Sequence, residues 1–216
     1  MRYIQVMRAL IVDWGGVLTN ALREPFERWA QDEGVDHDHY LMVLKELLGQ
    51  NTYDALNPIH ALERGEVSNP DFEEMLGAKL KRVDGQPLDS AGMLERMFSY
   101  IEHAPNMNAL VRRAREKGIA TALLSNSWGN TYPRDLWDGM FDHVVISGEV
   151  GMRKPEPEIF KYTLDLLQVE PSEAVFVDDL MKNIEGARAV GLVAVHHFEY
   201  ESTLMELEAL FGCSLT

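Results

Sequence analysis

Asp13 follows the apolar run Ala9-Leu10-Ile11-Val12 and is followed at once by Trp14-Gly15-Gly16. Ser125-Asn126 ends a second apolar run, Asp178-Asp179 ends a third, and Lys154 precedes a helical pattern in "GMRKPEPEIF". Brought together, Asp13, Asp178 and Asp179 would repel one another, and a divalent cation relieves such repulsion. Oxygen donors without a Cys or His cluster favour Mg²⁺ over Zn²⁺. Lys154 adds a positive charge suited to a phosphate oxygen or to the nucleophile, and Ser125 Oγ and the Asn126 amide offer hydrogen bonds. An aspartate can form an acyl phosphate, and Asp13 stands where the backbone turns. The set predicts Mg²⁺-assisted phosphoryl chemistry on a small phosphorylated molecule. Taken singly, each group also suits an ordinary turn, helix cap or surface position. The chemical reading rests on their order and their shared place at run ends.

Those ends must be set side by side. Met7 to Val12 reads as a buried strand. From Asn20 to about Glu102 the patterns are helical: Pro25 to Ala30, His39 to Leu48, Ile59 to Leu62, Phe72 to Leu80 and Met93 to Ile101. The rhythm then alternates. Asn108 to Lys117 is helical, Ile119 to Leu124 strand-like, Asp142 to Ser147 a weaker strand, and Pro157 to Leu167 helical. Ala174 to Val177 is a strand, Asn183 to Val190 a helix closed by Gly191, Leu192 to His196 a strand and Thr203 to Leu210 a helix. Alternation of this kind predicts an α/β fold, a Rossmann-like parallel sheet sandwiched by helices. The expected organisation is a core of residues 1–19 and 103–216 with an inserted small helical cap of residues 20–102. In such sheets ligands bind beyond the carboxyl ends of the strands, where Asp13, Ser125 and Asp178 fall.

The 216 residues are 46% hydrophobic and 25% charged, ordinary values for a chain with a sizeable core. A formal net charge of −15 disfavours nucleic acid, whose phosphates need clustered Lys and Arg. Cys213 is the single cysteine, so no internal disulfide framework forms and a reducing, cytoplasmic setting is expected. "MRYIQVMRAL" has no secretory pattern and no window approaches a membrane span, so no membrane partner is expected. Apolar faces of the insert, Phe26 and Trp29 among them, would suit a homodimer.

Four segments, "LIVDWGGVLT", "LLSNS", "RKPEPEIF" and "VFVDDLMKNIEGARAVG", resemble in order the motifs of the haloacid dehalogenase (HAD) superfamily of hydrolases. The stretch containing "ALERGEVSNPDFEEML" resembles the small helical cap of its sugar-phosphate and small-molecule phosphatases. The resemblance implies that Asp13 is the nucleophile and a Mg²⁺ ligand and that the Gly15 carbonyl is a second ligand. It implies that Asp179 binds the metal directly, with Asp178 acting directly or through water. Ser125, Asn126 and Lys154 would hold the transferring group, Asn183 would orient the metal site, and the segment after Asp13 would be a flap coupling cap closure to chemistry.

Phosphatases of this family carry an aspartate two residues after the nucleophile, which protonates the leaving oxygen and then activates water. Here that residue is Gly15. Three readings follow. The first is a weak or specialised phosphohydrolase acting on an acyl or aryl phosphate, or borrowing a proton from Glu24, His37, His39 or His60. The second is phosphonatase-like chemistry on a Schiff-base lysine (Lys45, Lys79 or Lys81), or dehalogenase-like chemistry, in which Asp178-Asp179 would have no evident purpose. The third is a catalytically impaired protein that retains the metal and phosphate site for binding or regulation.

Overall fold

The computed structural model describes residues 6–48, 57–129 and 132–216. Within them β1 (Ala9–Val12), β2 (Ala120–Ser125), β3 (His143–Ile146), β4 (Ala174–Asp178) and β5 (Val193–His196) form one parallel sheet in the order β3-β2-β1-β4-β5. β1 lies at the centre, paired with β2 on one side and β4 on the other. It is buried on both faces, which is why it reads as an unbroken apolar run. Alternate residues feed different layers. Leu10 and Val12 pack with Met107, Leu110 and Leu207, whereas Ala9 and Ile11 pack with Ile159, Phe160 and Ile184. The first layer is supplied by α6 (Pro105–Glu116) and α10 (Tyr200–Phe211), the second by α8 (Pro157–Leu167) and α9 (Met181–Val190). Parallel neighbours require such crossovers. A short helix, α7 (Ser147–Val150), follows β3 directly.

The chain leaves this sheet beside Thr19 and returns at His103, where the two residues form an antiparallel bridge. Asn20 N–H donates to the Glu102 carbonyl (2.9 Å) and Ala104 N–H to the Leu18 carbonyl (2.9 Å), tying the two passages together. Between them lie α1 (Arg23–Asp32), α2 (His37–Leu48), α3 (Pro58–Glu63), α4 (Asn69–Lys79) and α5 (Met93–Phe98). Their termini are set locally. Asn57 Oδ1 accepts from Ile59 N–H, Ser68 Oγ accepts from Asp71 N–H, and Pro58 and Pro70 occupy first turns where no donor is lost. The helices bury their own cluster around Trp29, Tyr40, Phe72 and Leu76.

Helix and strand positions match the sequence expectation, with small shifts at the ends. The two residues named for a dimer face differ from that expectation in burial. Trp29 is fully buried within the insert, and Phe26 is partly buried, packs edge-on against Phe98 and lines an open cavity. Trp29 therefore supplies no outward apolar surface. Among the described residues no helix is long and apolar enough to cross a membrane.

Candidate active site

The central position of β1 brings the carboxyl ends of β1, β2 and β4 together, where the direction of strand progression reverses. Asp13 continues the ladder by one residue, its N–H donating to the Val177 carbonyl (3.0 Å). Its Oδ1 accepts from Trp14 N–H (2.7 Å) and pairs with Lys154 Nζ (2.8 Å). Oδ2 has no hydrogen-bond donor among the described residues. Asp13, Gly15 and Asp179 lie on the wall of a cavity of about 450 Å³.

Lys154 is fully buried and bridges two carboxylates, reaching Asp178 Oδ2 at 2.7 Å as well as Asp13. Asp178 is also fully buried, and its oxygens accept from Leu180 N–H (2.8 Å) and Asn183 Nδ2 (3.0 and 3.1 Å). It therefore organises Lys154, Asn183 and the start of α9, and it does not line the cavity. One oxygen each of Asp13, Asp178 and Asp179 lies within 4.8 Å of the others. Burial, then the charges of Asp178 and Asp179, push the Asp13 carboxyl up to about 8 even though Lys154 pulls it down. Burial and then the Asp178 charge raise Asp179 to about 6. Burial draws Lys154 down, but Asp13 and Asp178 outweigh it and hold the ammonium charged.

These are the electrostatics of a site short of positive charge. Asn183 Oδ1 is buried and lacks a partner, on a residue that also lines the cavity. A hard divalent cation with bound water suits both features: the carboxylates as ligands and Asn183 Oδ1 as an acceptor for that water. The Mg²⁺ donor set inferred from the sequence fits these residues.

Gly16 has φ +73°, and a Cβ there would collide with the Asp179 carboxylate. This glycine lets the β1 turn approach the acidic pair. Gly15 differs. Its φ is not positive, and a Cβ would meet only the tip of Leu22, with Cδ1 at 3.1 Å. An apolar side chain from the entry to α1 thus covers the point where a side chain at position 15 would start.

Not every expected contact forms. Ser125 Oγ is bonded to the Tyr132 hydroxyl (3.0 Å). The Asn126 side chain clamps the Lys154 backbone, donating from Nδ2 to the carbonyl (3.0 Å) and accepting the N–H at Oδ1 (2.8 Å). It positions Lys154 and also lines the cavity, with one N–H of its amide engaged in this clamp. Of the alternative proton donors, Glu24, His37, His39 and His60 are all absent from the cavity wall; His39 Nε2 instead contacts the Lys79 carbonyl (2.8 Å). Lys45, Lys79 and Lys81 are absent as well, and Lys79 pairs with Glu46. His196 Nε2 contacts the Asp179 carbonyl (2.8 Å) and His197 Nδ1 the Thr203 hydroxyl (2.8 Å), so the pair packs rather than ligates.

Sequence reasoning missed Leu22, Tyr132 and Glu63. Glu63, at the end of α3, is buried and accepts from Trp128 Nε1 (3.1 Å) and from the buried Arg153 Nε. Beside it Arg64 pairs with Glu156 (3.0 Å) and the Ser147 hydroxyl donates to the Glu63 carbonyl (2.5 Å). Asn69 Nδ2 donates to the Gly129 carbonyl (3.2 Å). The insert is thereby fastened over the strand ends. "ERGE" carried a signal for this, since a charged run at a helix end can be a contact as well as a solvated surface.

The profile of the haloacid dehalogenase-like hydrolases matches residues 7–191, from β1 through the end of α9. The chain belongs to this family. Among relatives of this HAD-like hydrolase, sesquiterpene phosphatase of Aspergillus oryzae is 28% identical over 212 residues, covering 95% of this chain and 97% of that protein. Bifunctional epoxide hydrolase 2 of Rattus norvegicus is 30% identical over 170 residues, covering 72% of this chain but only 31% of the rat protein. This HAD-like hydrolase therefore matches less than a third of that relative's length. A HAD-family enzyme of Bacteroides thetaiotaomicron, solved as a mutant with magnesium and inorganic phosphate, superposes with TM-score 0.67 at 23% identity, covering 89% of this chain and 94% of that one.

Proposed function

We propose that this HAD-like hydrolase is a Mg²⁺-dependent phosphohydrolase that transfers a phosphoryl group to Asp13, with residues 20–102 as its cap. The observation that carries the reading is the state of Asp13. Oδ1 is fixed by Lys154 and Trp14 N–H, Oδ2 has no hydrogen-bond donor among the described residues, and Asp13 lines the cavity with Asp179. Asp13, the Gly15 carbonyl and Asp179 would hold Mg²⁺, with Asp178 behind them. The ion supplies positive charge that lowers the carboxyl pKa values and offsets the charge of the phosphoryl oxygens. A phosphatase among the relatives, and magnesium with phosphate in a neighbour of the same fold, accord with Mg²⁺-dependent phosphohydrolysis.

In the first half-reaction Asp13 Oδ2 attacks phosphorus, the bond to the leaving oxygen breaks, and that oxygen departs with the electron pair. Lys154 keeps Asp13 oriented and balances its charge, and Ser125 with Tyr132 faces the transferring group. In the second half-reaction water attacks the aspartyl phosphate, loses a proton, and restores the carboxylate as phosphate leaves. With glycine at position 15, neither half-reaction receives the usual carboxyl proton relay. The substrates served best are those whose leaving group departs without protonation, acyl and aryl phosphates.

The test is phosphate release from acetyl phosphate and 4-nitrophenyl phosphate with Mg²⁺. Release should stop in chelator and in Asp13→Asn, and borohydride should trap an aspartyl phosphate in the wild type only. Release that survives Asp13→Asn, or no release together with no trapped intermediate, would overturn the reading.

A further inference from the structure

The cavity over Asp13 has two unlike sides. The strand ends contribute Asp13, Asp179, Lys154 and Asn183. The opposite side is made by Leu22, Phe26 and Phe98 from the insert, with Trp14, Trp128 and Tyr132 from the loops after β1 and β2. Most of the wall is therefore hydrocarbon. The rings already meet edge to face: Trp14 with Tyr132 at 5.0 Å, Phe26 with Phe98 at 5.9 Å. Charged groups on this side have other duties, Glu63 being held by Trp128 and Arg153 and Arg23 by Glu27. Lys182 is the remaining charged neighbour, its pKa lowered by burial.

We infer that the group leaving from phosphorus is apolar and aromatic, so that the substrate is an aryl phosphate bound with its ring between Leu22 and the Phe26–Phe98 pair. The inference rests on the phosphohydrolase reading and names its substrate class. Two independent features agree. Aromatic walls favour a ring through area and edge-to-face contacts. Leu22 places a methyl group, not a carboxyl, over Gly15, where the leaving oxygen of an alkyl ester would need a proton. A phenolate needs much less help. A sugar or amino-acid phosphate would strand its hydroxyls or charges against hydrocarbon without partners.

Non-hydrolysable probes test this directly. Naphthylmethylphosphonate and methylphosphonate are titrated with Mg²⁺ into the wild type, read by tryptophan fluorescence and calorimetry. The naphthyl probe should bind at least about tenfold more tightly, since burying a ring adds apolar area that the methyl probe lacks. Phe26→Ala and Phe98→Ala should each reduce that advantage several-fold while methylphosphonate affinity stays constant. Equal affinities in the folded wild type overturn the inference, and phosphate release from acetyl phosphate would then leave the phosphohydrolase reading standing. If neither probe binds and no phosphate is released, both fall. A naphthyl preference without turnover supports the aromatic site while overturning the catalytic reading.

Discussion

Replacing Gly15 by aspartate should convert a specialised hydrolase into a broader one. The backbone permits it, because φ at Gly15 lies outside the left-handed region. The new Cβ would stand 3.1 Å from Leu22 Cδ1, so the end of one flexible, half-buried side chain must yield by a few tenths of an ångström. Crowding of that size costs about 1 kcal/mol of stability, at the low end for overpacking. The added carboxyl enters on the cavity wall that position 15 shares with Asp13 and Asp179, whose own carboxyls burial raises to about 8 and about 6. Burial would raise its own pKa toward the protonated form that a general acid needs, while the bound Mg²⁺ of the assay would draw it back down. General acid–base assistance is typically worth about 10²–10⁴-fold. That range corresponds to about 3–5 kcal/mol of barrier. Alkyl phosphates should gain in that range in kcat/KM. Aryl phosphates should gain about tenfold or less, because a weakly basic leaving oxygen draws little from a proton donor. The assay is a series of Mg²⁺-supported phosphate esters of graded leaving-group pKa. The wild type should show a steep dependence and Gly15→Asp a shallow one, with Gly15→Asn as the isosteric control. The double variant with Leu22→Ala removes the crowding if the single one melts early. A folded Gly15→Asp that binds Mg²⁺ and gains nothing on alkyl phosphates refutes the claim that the missing acid limits this site.

Glu63→Gln removes the charge opposing Arg153, which is 1% exposed. Breaking one side of a buried pair should cost about 3–5 kcal/mol in a urea melt, whereas Glu66→Gln on the exposed side of Arg64 should cost well under about 1 kcal/mol. Asn126→Ala strips both clamps from the Lys154 backbone; stability should fall by about 1–3 kcal/mol and kcat should drop more than KM rises. Asp179 has a folded pKa of about 6, above its ordinary 3.8, so its contribution to stability is complete below pH 4 and is lost as pH rises through 6. Melting temperature in chelator should decline across that window. Mg²⁺ favours the ionised carboxylates, so its stabilisation should be larger at pH 7.5 than at pH 5; an equal shift at both would count against these carboxylates as its ligands.

Much of the polar side of the site could be read from the chain, because it is written where strands end. A buried parallel strand is a short apolar run, and the residue that stops the run is the one delivered to the ligand face. Asp13, Ser125 and Asp178-Asp179 were legible in this way, as was the insert between β1 and α6, from the loss of strand rhythm. What escaped depends on packing between distant segments. That the Asn126 side chain also closes on the backbone of Lys154 could not be read from the chain. Phe26 and Trp29 look like an exposed stripe because periodicity marks an apolar face without saying what covers it. Trp29 turns into the insert's own core, and Phe26 turns toward Asp13.

Leu22 is the sharpest case, and it alters the meaning of Gly15. On the sequence, a glycine where relatives carry a carboxylate reads as a loss. In the structure Leu22, seven residues farther on, fills the space above it from another element. A site that had only lost its acid would leave that space to water, which could still carry protons at some cost. On the proposed mechanism, a methyl group there would leave less room for water beside the leaving oxygen, which would penalise basic leaving groups a second time. The same hydrocarbon favours an apolar group in that position. On the proposed mechanism, glycine and leucine together would act in one direction, toward leaving groups that are both weakly basic and poorly hydrated. Leu22→Ser in the Gly15 background separates the two effects: re-admitting water should raise alkyl phosphate turnover modestly while weakening retention of the naphthyl phosphonate. If it changes neither, the cover on Gly15 plays no part in substrate choice.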